Sequence, residues 1–525
     1  MNARGFLYVL ITLSCFPSVK RKEGFPMLVH EILRRGQNND DAVYSQLGAL
    51  TYLGLKVAAE NCRRRLYAAG VRRHDRVAIY SRNRAEYIAA YMAIASLGAI
   101  VVPINFQFSM RETAFIIKNA DARVILTDQE LFLDDALNAI EYGGEVKQID
   151  IGGVIEPTTL PPPPPLPADF GPDEPCTIIY TSGTTGAPKG AVLSHRNLVM
   201  NALDMQQTVH MRRSDNVLCI LPMYHCFSWT CAVMCALSVG ATISILDAFA
   251  PKRTIDVSRA LGVTIIVMVP SILSLITKLA TTEDFQTLRF VILGGTTLPK
   301  AIGEAFWTKF GVPVVEGYGL SEASPVVTMN SPESARLTSV GPAIPDVRLR
   351  FVDAHGRDVP QGEAGELLVQ GPNVMHGYWK LPEETAKALQ HGWLHTGDVA
   401  RMDEDGYVYI VDRIKDMIIS MGENIYPREI EELVYAYPGV REAAVIAIDD
   451  KLRGQAGCCY YSIQPDAAVN VRELKKYLQK NLALYKIPRE FRLIDELPKT
   501  STGKIAKRQL RELYLAEGEK KTTAP

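Results

Sequence analysis

The chain has 525 residues, more than one hydrophobic core usually fills, so at least two domains are expected. Its 57 Lys and Arg against 58 Asp and Glu leave a formal charge of −1, which excludes a global field directed at nucleic acid. Nine cysteines in such a length exclude a disulfide scaffold and fit a reducing compartment, the cytoplasm.

At the N-terminus, Arg4 followed by the apolar Gly5–Phe16 imitates a weak signal peptide, but Lys20-Arg21-Lys22 follows and no A-x-A cleavage pattern is visible. In a bacterial gene, Lys22-Glu23-Gly24 can be encoded by AAG-GAG-GGN, a strong ribosome-binding sequence a few codons before Met27. Residues 1–26 are therefore expected to be an over-extended gene start, with Met27 the true one.

From Met27 helix and strand alternate. Gly54–Ala69 has helical apolar spacing, with Arg63-Arg64-Arg65 expected on its solvated side. Arg76–Ser81 reads as a strand, Ala85–Leu97 as a helix ended by Gly98, and Ile100–Pro103 and Val124–Thr127 as further strands. This alternation predicts an α/β architecture with mostly parallel sheets. Leu160–Pro167 is read as a stiff linker rather than a docking site for proline-binding modules, because it lies inside a domain. Phe227–Leu246 carries no charge and is long enough to span a membrane, yet Gly240 divides it into a core helix and a core strand. Cys219, Cys226, Cys231 and Cys235 surround His225 without any C-x-x-C spacing, so they are read as core thiols and not metal ligands. Gly262–Pro270 and Arg289–Gly295 read as buried strands. After about Arg413 the texture becomes that of a small α+β unit: helix Pro427–Tyr435, strand Val440–Ile448, helix Val471–Lys480, strand Arg489–Ile494 and a basic amphipathic helix Ile505–Leu515.

The chemistry concentrates at Thr181 to Gly190, T-S-G-T-T-G-A-P-K-G, after the apolar run Thr177–Tyr180, which is read as a buried parallel strand. Gly183, Gly186 and Gly190 let backbone approach a ligand; Thr181, Ser182, Thr184 and Thr185 add hydroxyls and Lys189 a charge, a set suited to polyphosphate. The Walker A spacing is missing and Pro188 stands where its helix would begin, so this is a phosphate loop of another kind. In Glu316-Gly-Tyr-Gly-Leu-Ser-Glu322, a glutamate occupies the place of the third glycine of a Rossmann fingerprint, which rejects that reading.

Tyr180 to Gly190 resembles the signature of the acyl-adenylate-forming superfamily, which contains acyl-CoA synthetases, adenylation domains of peptide synthetases and luciferases. Further stretches match in order, from about Met27 to the C-terminus. Leu221-Pro-Met-Tyr-His225 resembles the segment lining the acyl site, and places His225 near the carboxylate or the tunnel mouth. Gly295 and Thr296 resemble the glycine-rich turn against which adenine packs. In the Glu316–Glu322 stretch (with Glu316, Gly317 and Gly319) the resemblance implies that Tyr318 stacks on adenine, Ser321 bonds the α-phosphate and Glu322 binds magnesium. Asp398 would accept both ribose hydroxyls and Arg413 would be a second ribose contact, with Lys415 at the family's hinge position. Asp412 stands where the family often has glycine, a departure read as immaterial to the chemistry. Gly422 would let an extended pantetheine pass, and Lys504, in Pro498–Lys504, resembles the catalytic lysine.

The resemblance thus implies a large N-terminal AMP-binding domain, 27–412, and a small hinged α+β domain, 413–525. Its implied activity is that of an AMP-forming ligase using ATP, magnesium and coenzyme A to convert a carboxylic acid, of fatty type, to an acyl-adenylate and then a thioester. Aryl or dicarboxylic acid-CoA ligases and a fatty acyl-AMP ligase loading a carrier protein are the enzymatic alternatives, and a degenerate nucleotide-binding scaffold the non-enzymatic one. The intact Lys189, Glu322, Asp398, Arg413 and Lys504 oppose the scaffold. No nucleic-acid partner and no transmembrane span are expected; peripheral membrane contact and a homodimer stay open.

Overall fold

The computed structural model of the chain describes residues 28–46, 48–181, 188–296, 298–420, 423–450, 452–465, 467–499 and 505–522. It is a mixed α/β structure with a large N-terminal part built on parallel sheets and a smaller C-terminal part. The first sheet has eight strands, in the order Val326–Met329, Val314–Gly319, Phe290–Leu293, Ile265–Met268, Asn216–Cys219, Thr242–Ile245, Asp41–Ser45 and Gly48–Thr51. Only its two edge pairs are antiparallel. The second has seven strands, in the order Gly377–Tyr378, Lys189–Ser194, Pro175–Thr181, Ile100–Ile104, Arg76–Tyr80, Ala122–Thr127 and Lys147–Asp150.

Both faces of each sheet are covered, which is why the strands read as continuous apolar runs. In Arg76–Tyr80, Val77 and Ile79 join the core between the two sheets, while Ala78 and Tyr80 join the core on the outer face. The helix Ala85–Ser96 fills the space between the sheets, and every residue from Ala85 to Ala95 is buried. Only a helix apolar all round, with small residues where sheets press closest, fits there. Its one acid, Glu86, is 3% exposed and accepts from the Arg84 guanidinium at 3.1 and 2.9 Å, the pairing a buried carboxylate requires. Trp229 stacks on Tyr91 of this helix at 4.1 Å. Trp229 lies in the uncharged run, which is indeed a core helix (Cys226–Val239, with a π-helical middle) and a core strand, Thr242–Ile245. Among the described residues no helix is long and apolar enough to cross a membrane. Cys219, Cys226, Cys231 and Cys235 are buried free thiols, and no group of three metal-ligating side chains occurs among the described residues.

Two expectations change. The strand at Thr177–Tyr180 runs from Pro175 to Thr181 and is parallel to only one neighbour; on its other side Lys189–Ser194 pairs with it antiparallel. Nor is Arg63-Arg64-Arg65 simply solvated. The Arg63 guanidinium donates to the Pro164 carbonyl at 2.9 Å, Arg64 to Leu160 at 3.1 Å and Arg65 to Pro157 at 3.2 Å. Polyproline conformation leaves its carbonyls unpaired, and three consecutive arginines near the end of the helix Tyr52–Ala68 take them up. The proline segment is therefore a strap bound to its own domain, consistent with the linker reading.

A third, wholly antiparallel sheet contains Arg348–Val352, Gly365–Gln370, Trp393–Met402, Leu389–Gln390 and Val408–Arg413. The C-terminal part is built on the hairpin of Val440–Asp450 and Gly454–Ile463. Pro427–Ala436 and Val471–Asn481 contribute to the core on one face, and the last helix, Lys507–Thr522, seats Leu510 in the core on the other.

Gly341 joins the third sheet to the first, its carbonyl accepting from Val408 at 3.1 Å. It sits at φ +80°, and a Cβ there would lie 2.2 Å from the backbone nitrogen of Asn330. Gly341→Ala should combine left-handed backbone strain with a clash that no side chain can relieve, costing about 2–4 kcal/mol. The check is the urea midpoint; an unshifted midpoint would refute the constraint.

Candidate active site

The two strands that flank the phosphate-loop sequence, Pro175–Thr181 and Lys189–Ser194, pair antiparallel, so a strand and not a helix follows it. Thr181 pairs with Lys189 and Tyr180 with Gly190. Ser182, Gly183, Thr184, Thr185 and Gly186 lie outside the described residues. The Thr181 hydroxyl faces the Lys189 carbonyl at 3.5 Å. The edge beyond Lys189–Ser194 is taken by Gly377–Tyr378, and the Trp379 N–H donates to the Gly190 carbonyl at 2.7 Å. This edge delivers two side chains that the sequence reading did not single out. The Lys189 ammonium is paired with Glu384, in the first turn of the helix Pro382–Ala388. The Tyr378 hydroxyl donates to Glu322 Oε1 at 2.8 Å, and its ring centre lies 5.4 Å from Lys189 Nζ. Burial first, then Glu322, raises the Tyr378 phenol, so it stays a donor. Lys189 holds Glu384 well below the usual carboxylate range, at about 2, with Lys387 adding to the effect.

Glu322 lies in the short turn Ser321–Ala323 after the strand Val314–Gly319, whose end packs tightly on the returning strand: a Cβ on Gly319 would lie 2.1 Å from the Pro325 carbonyl oxygen. Beside Glu322, the Ser321 Oγ lies 3.3 Å from the Cys226 thiol, a contact missed when the cysteines were read only as core. His225, the residue before, caps the short helix it precedes, its Nδ1 accepting from the Phe227 N–H at 3.2 Å. With Nδ1 as the acceptor in this contact, Nε2 is the ring nitrogen able to donate. His225, Ser321, Glu322 and Lys189 are thus linked through Cys226 and Tyr378.

A second group lies at the third sheet. Asp398 and Arg413 are direct partners on adjacent strands, with Nε 3.2 Å from Oδ1. The Tyr318 hydroxyl donates to Asp398 Oδ2 at 2.5 Å, and the Asp398 N–H donates to the Thr396 hydroxyl at 3.1 Å. Burial, reinforced by Asp398, pushes the Tyr318 phenol well up. An acid and two donors meet here, the complement of a vicinal diol. Gly295 and Thr296 form the turn after Phe290–Leu293. Glu316 lies close by, 3% exposed, with Oε1 accepting from the Leu298 N–H at 3.0 Å and Oε2 without a partner among the described residues. Lys415 sits in the short turn Ile414–Asp416 on the exposed surface, its ammonium pushed down by partial desolvation and then by Arg413. Gly422 and Lys504 lie outside the described residues. Asp412 is 7% exposed and accepts from the N–H groups of Arg413 and Arg428, at 2.7 and 2.9 Å.

The family description "AMP-binding enzyme" matches residues 32–379, and "AMP-binding enzyme C-terminal domain" matches 429–504. The chain belongs to the AMP-binding enzyme family. It is 35% identical to a feruloyl-CoA synthase of an Amycolatopsis species over 471 residues, covering 89% of this chain and 94% of that one. It is 32% identical to the fatty acid–[acyl-carrier-protein] ligase ScoC of Streptomyces coeruleorubidus, covering 91% and 94%. The fold matches ATP-bound MatB from Rhodopseudomonas palustris with TM-score 0.87 and 29% identity, over 93% of this chain and 99% of that one. The chain is an AMP-forming ligase of the acyl- and aryl-CoA synthetase group, which uses ATP and CoA.

Magnesium is typical of such ligases, and the donor set fits it. Magnesium is commonly held by one or two carboxylates, with phosphate oxygens and water completing its shell. Glu322, tied to Tyr378 through a single oxygen, is the carboxylate that would hold it.

Burial raises the Glu316 carboxyl to about 7, partly offset by the Leu298 N–H and Arg428, while Glu432 adds to the rise. Its folded value exceeds the unfolded one, so the native state binds more protons between about pH 4.5 and 7 and loses stability as pH rises through that window. Full ionisation costs about 3 kcal/mol. Glu316→Gln keeps an acceptor for Leu298 but cannot ionise, so its stability relative to the unaltered protein should rise by about that much from pH 5 to 8. Urea midpoints at both pH values test this, and a pH-independent difference would refute it.

Proposed function

We propose that the enzyme joins a fatty monocarboxylic acid to ATP as an acyl-adenylate, releasing pyrophosphate, and then passes the acyl group to the thiol of CoA. The observation that carries this reading is the meeting of Lys189 and Glu322 around Tyr378, with the Tyr318–Asp398–Arg413 group as a second anchor. Bringing a carboxylate against a triphosphate is opposed by like charge, so adenylation needs positioned cations. Lys189 supplies one on the phosphates, and Lys504 a second on a small domain spanning 413–525. Magnesium held by Glu322 would neutralise phosphate charge. The Nε2–H of His225 is the donor for the acid's carboxylate, Ser321 bonds the α-phosphate, and Asp398 and Arg413 take the ribose. Gly295 and Thr296, with Tyr318, bound the adenine, and Gly422 leaves a path for pantetheine. Lys415 is the hinge that lets the small domain, 413–525, turn against 27–412, so Lys504 withdraws before the thiol attacks.

A fatty acid is favoured on the acyl side because residues 216–246 contain no Asp, Glu, Lys or Arg, which disfavours dicarboxylates. Tyr87 and Tyr91 pack on Trp229 of that segment, which together with the feruloyl-CoA synthase relative favours an aryl acid as the second reading. The described cysteines are all free thiols, which supports a cytoplasmic setting.

Pyrophosphate release with straight-chain, aryl and dicarboxylic acids, with and without CoA, tests the assignment. Straight-chain acids should turn over best, and CoA should sustain turnover; a preference for aryl acids would select the second reading. Lys504→Ala should lower adenylation roughly 10²-fold or more, while thioester formation from a supplied acyl-adenylate is largely spared. An equal fall in both steps would make Lys504 a structural residue.

A further inference from the structure

The strand edge beside the phosphate loop holds one carboxylate that the reaction as described does not use. Glu384 lies 195 residues along the chain from Lys189, yet its Oε2 engages the Lys189 ammonium and its Oε1 accepts from Lys387 at 2.8 Å. Its helix Pro382–Ala388 is held against the loop hairpin by local contacts. The Tyr378 N–H donates to the Thr385 hydroxyl at 2.8 Å, and Gly377–Tyr378 pairs with Lys189–Ser194. Glu384 also occupies the first turn of that helix, where the macrodipole favours a carboxylate, so it stays ionised and in place. Lys189 and Glu384 are each only partly exposed, with 16% and 29% of their side chains open to solvent. A pair so placed is neither a buried structural bridge nor a freely solvated one.

A triphosphate bound at the loop and Glu384 would compete for the same ammonium. Resting on the proposed function, we propose that Glu384 is the exchangeable counter-ion of Lys189: its carboxylate holds the ammonium while the loop is empty, yields it to the incoming polyphosphate and takes it back as pyrophosphate leaves. The pair keeps Lys189 oriented between turnovers, so no reorganisation is needed when ATP arrives. It also limits how tightly polyphosphate is retained, because each departing anion is replaced by one already present. Tyr378 shares the arrangement from the other side, its ring near Lys189 and its hydroxyl on Glu322, so both groups awaiting the nucleotide are held by the same strand–helix unit.

The test uses the full-length protein and inorganic tripolyphosphate, whose binding owes nothing to adenine or the acyl acid, followed by ATP. Glu384→Gln should bind tripolyphosphate roughly three- to tenfold more tightly and lower the KM for ATP in proportion, as removal of a competing charge at a partly exposed pair allows. Pyrophosphate release should slow by a similar factor. Glu383→Gln removes the neighbouring charge on the same helix, which does not pair with Lys189, and should leave all three quantities near their starting values. Weakened or unaltered tripolyphosphate binding by Glu384→Gln, or an equal gain from Glu383→Gln, would overturn the counter-ion role while leaving the proposed function standing. No polyphosphate binding by the unaltered protein would overturn both.

Discussion

The site depends on one reversal in an otherwise parallel sheet. Consecutive parallel strands need a crossover, usually a helix, and phosphate loops of the Walker type exploit the start of that helix. Here the strand Pro175–Thr181 is followed by Lys189–Ser194 running back beside it. Pro188 suits this geometry, since it opposes helix continuation. The consequence reaches beyond the loop, because an antiparallel strand at the sheet edge presents unpaired backbone groups. Gly377–Tyr378 pairs with them, and so delivers Tyr378 and Glu384 to the loop from a segment almost two hundred residues on.

Charge is the second constraint. Ionised groups removed from water need partners, and each ionised site residue described here has one: Lys189 with Glu384, Glu322 with Tyr378, Asp398 with Arg413 and Tyr318. A site paired in this way is pre-organised. Its groups need not be ordered when nucleotide arrives; they exchange one partner for another, which lowers the entropic cost of binding. The two clusters stand at different places in the fold, one on the second sheet's edge and one on the third sheet. The Glu316–Glu322 stretch leads into both: Tyr318 reaches Asp398, and Glu322 reaches Tyr378.

Much of this was legible in the sequence, for reasons that differ by residue. Strands such as Arg76–Tyr80 and Phe290–Leu293 showed themselves because both faces are buried, and the helix Ala85–Ser96 because it is apolar all round. Lys189, Glu322, Asp398 and Arg413 lie in short, distinctive motifs. Glu384 and Tyr378 do not; each gains its meaning from a contact with another segment, and no local period reports it. The triple arginine misled for the same reason, since its partners are carbonyls of Glu156 to Pro164, which a helical pattern cannot contain. The antiparallel third sheet was missed because its half-exposed strands mix polar and apolar residues, as in Arg348–Val352, where only Val352 is buried.

Asp412 lies outside the proposed chemistry but ties together the elements on either side of the join. Its carboxylate accepts from the N–H of Arg428, the second residue of the helix Pro427–Ala436, doing for that helix what its own N-cap, Tyr426, does not. The negative charge also faces the positive end of the helix dipole. Arg428 in turn donates from its guanidinium to the Ile410 carbonyl and to Glu432. The last helix is tied to the same elements, with Lys507 on Glu431 at 2.8 Å and Arg511 on Asp416 at 3.3 Å. The Glu431–Lys507 pair lies wholly within the C-terminal part and would travel with it. The Asp412–Arg428 contact crosses the join and would have to break if that part turned at Lys415. Arg428 and Glu432 are also the charges that reach the buried Glu316, so turning the small part would change the field on a carboxyl poised near neutrality.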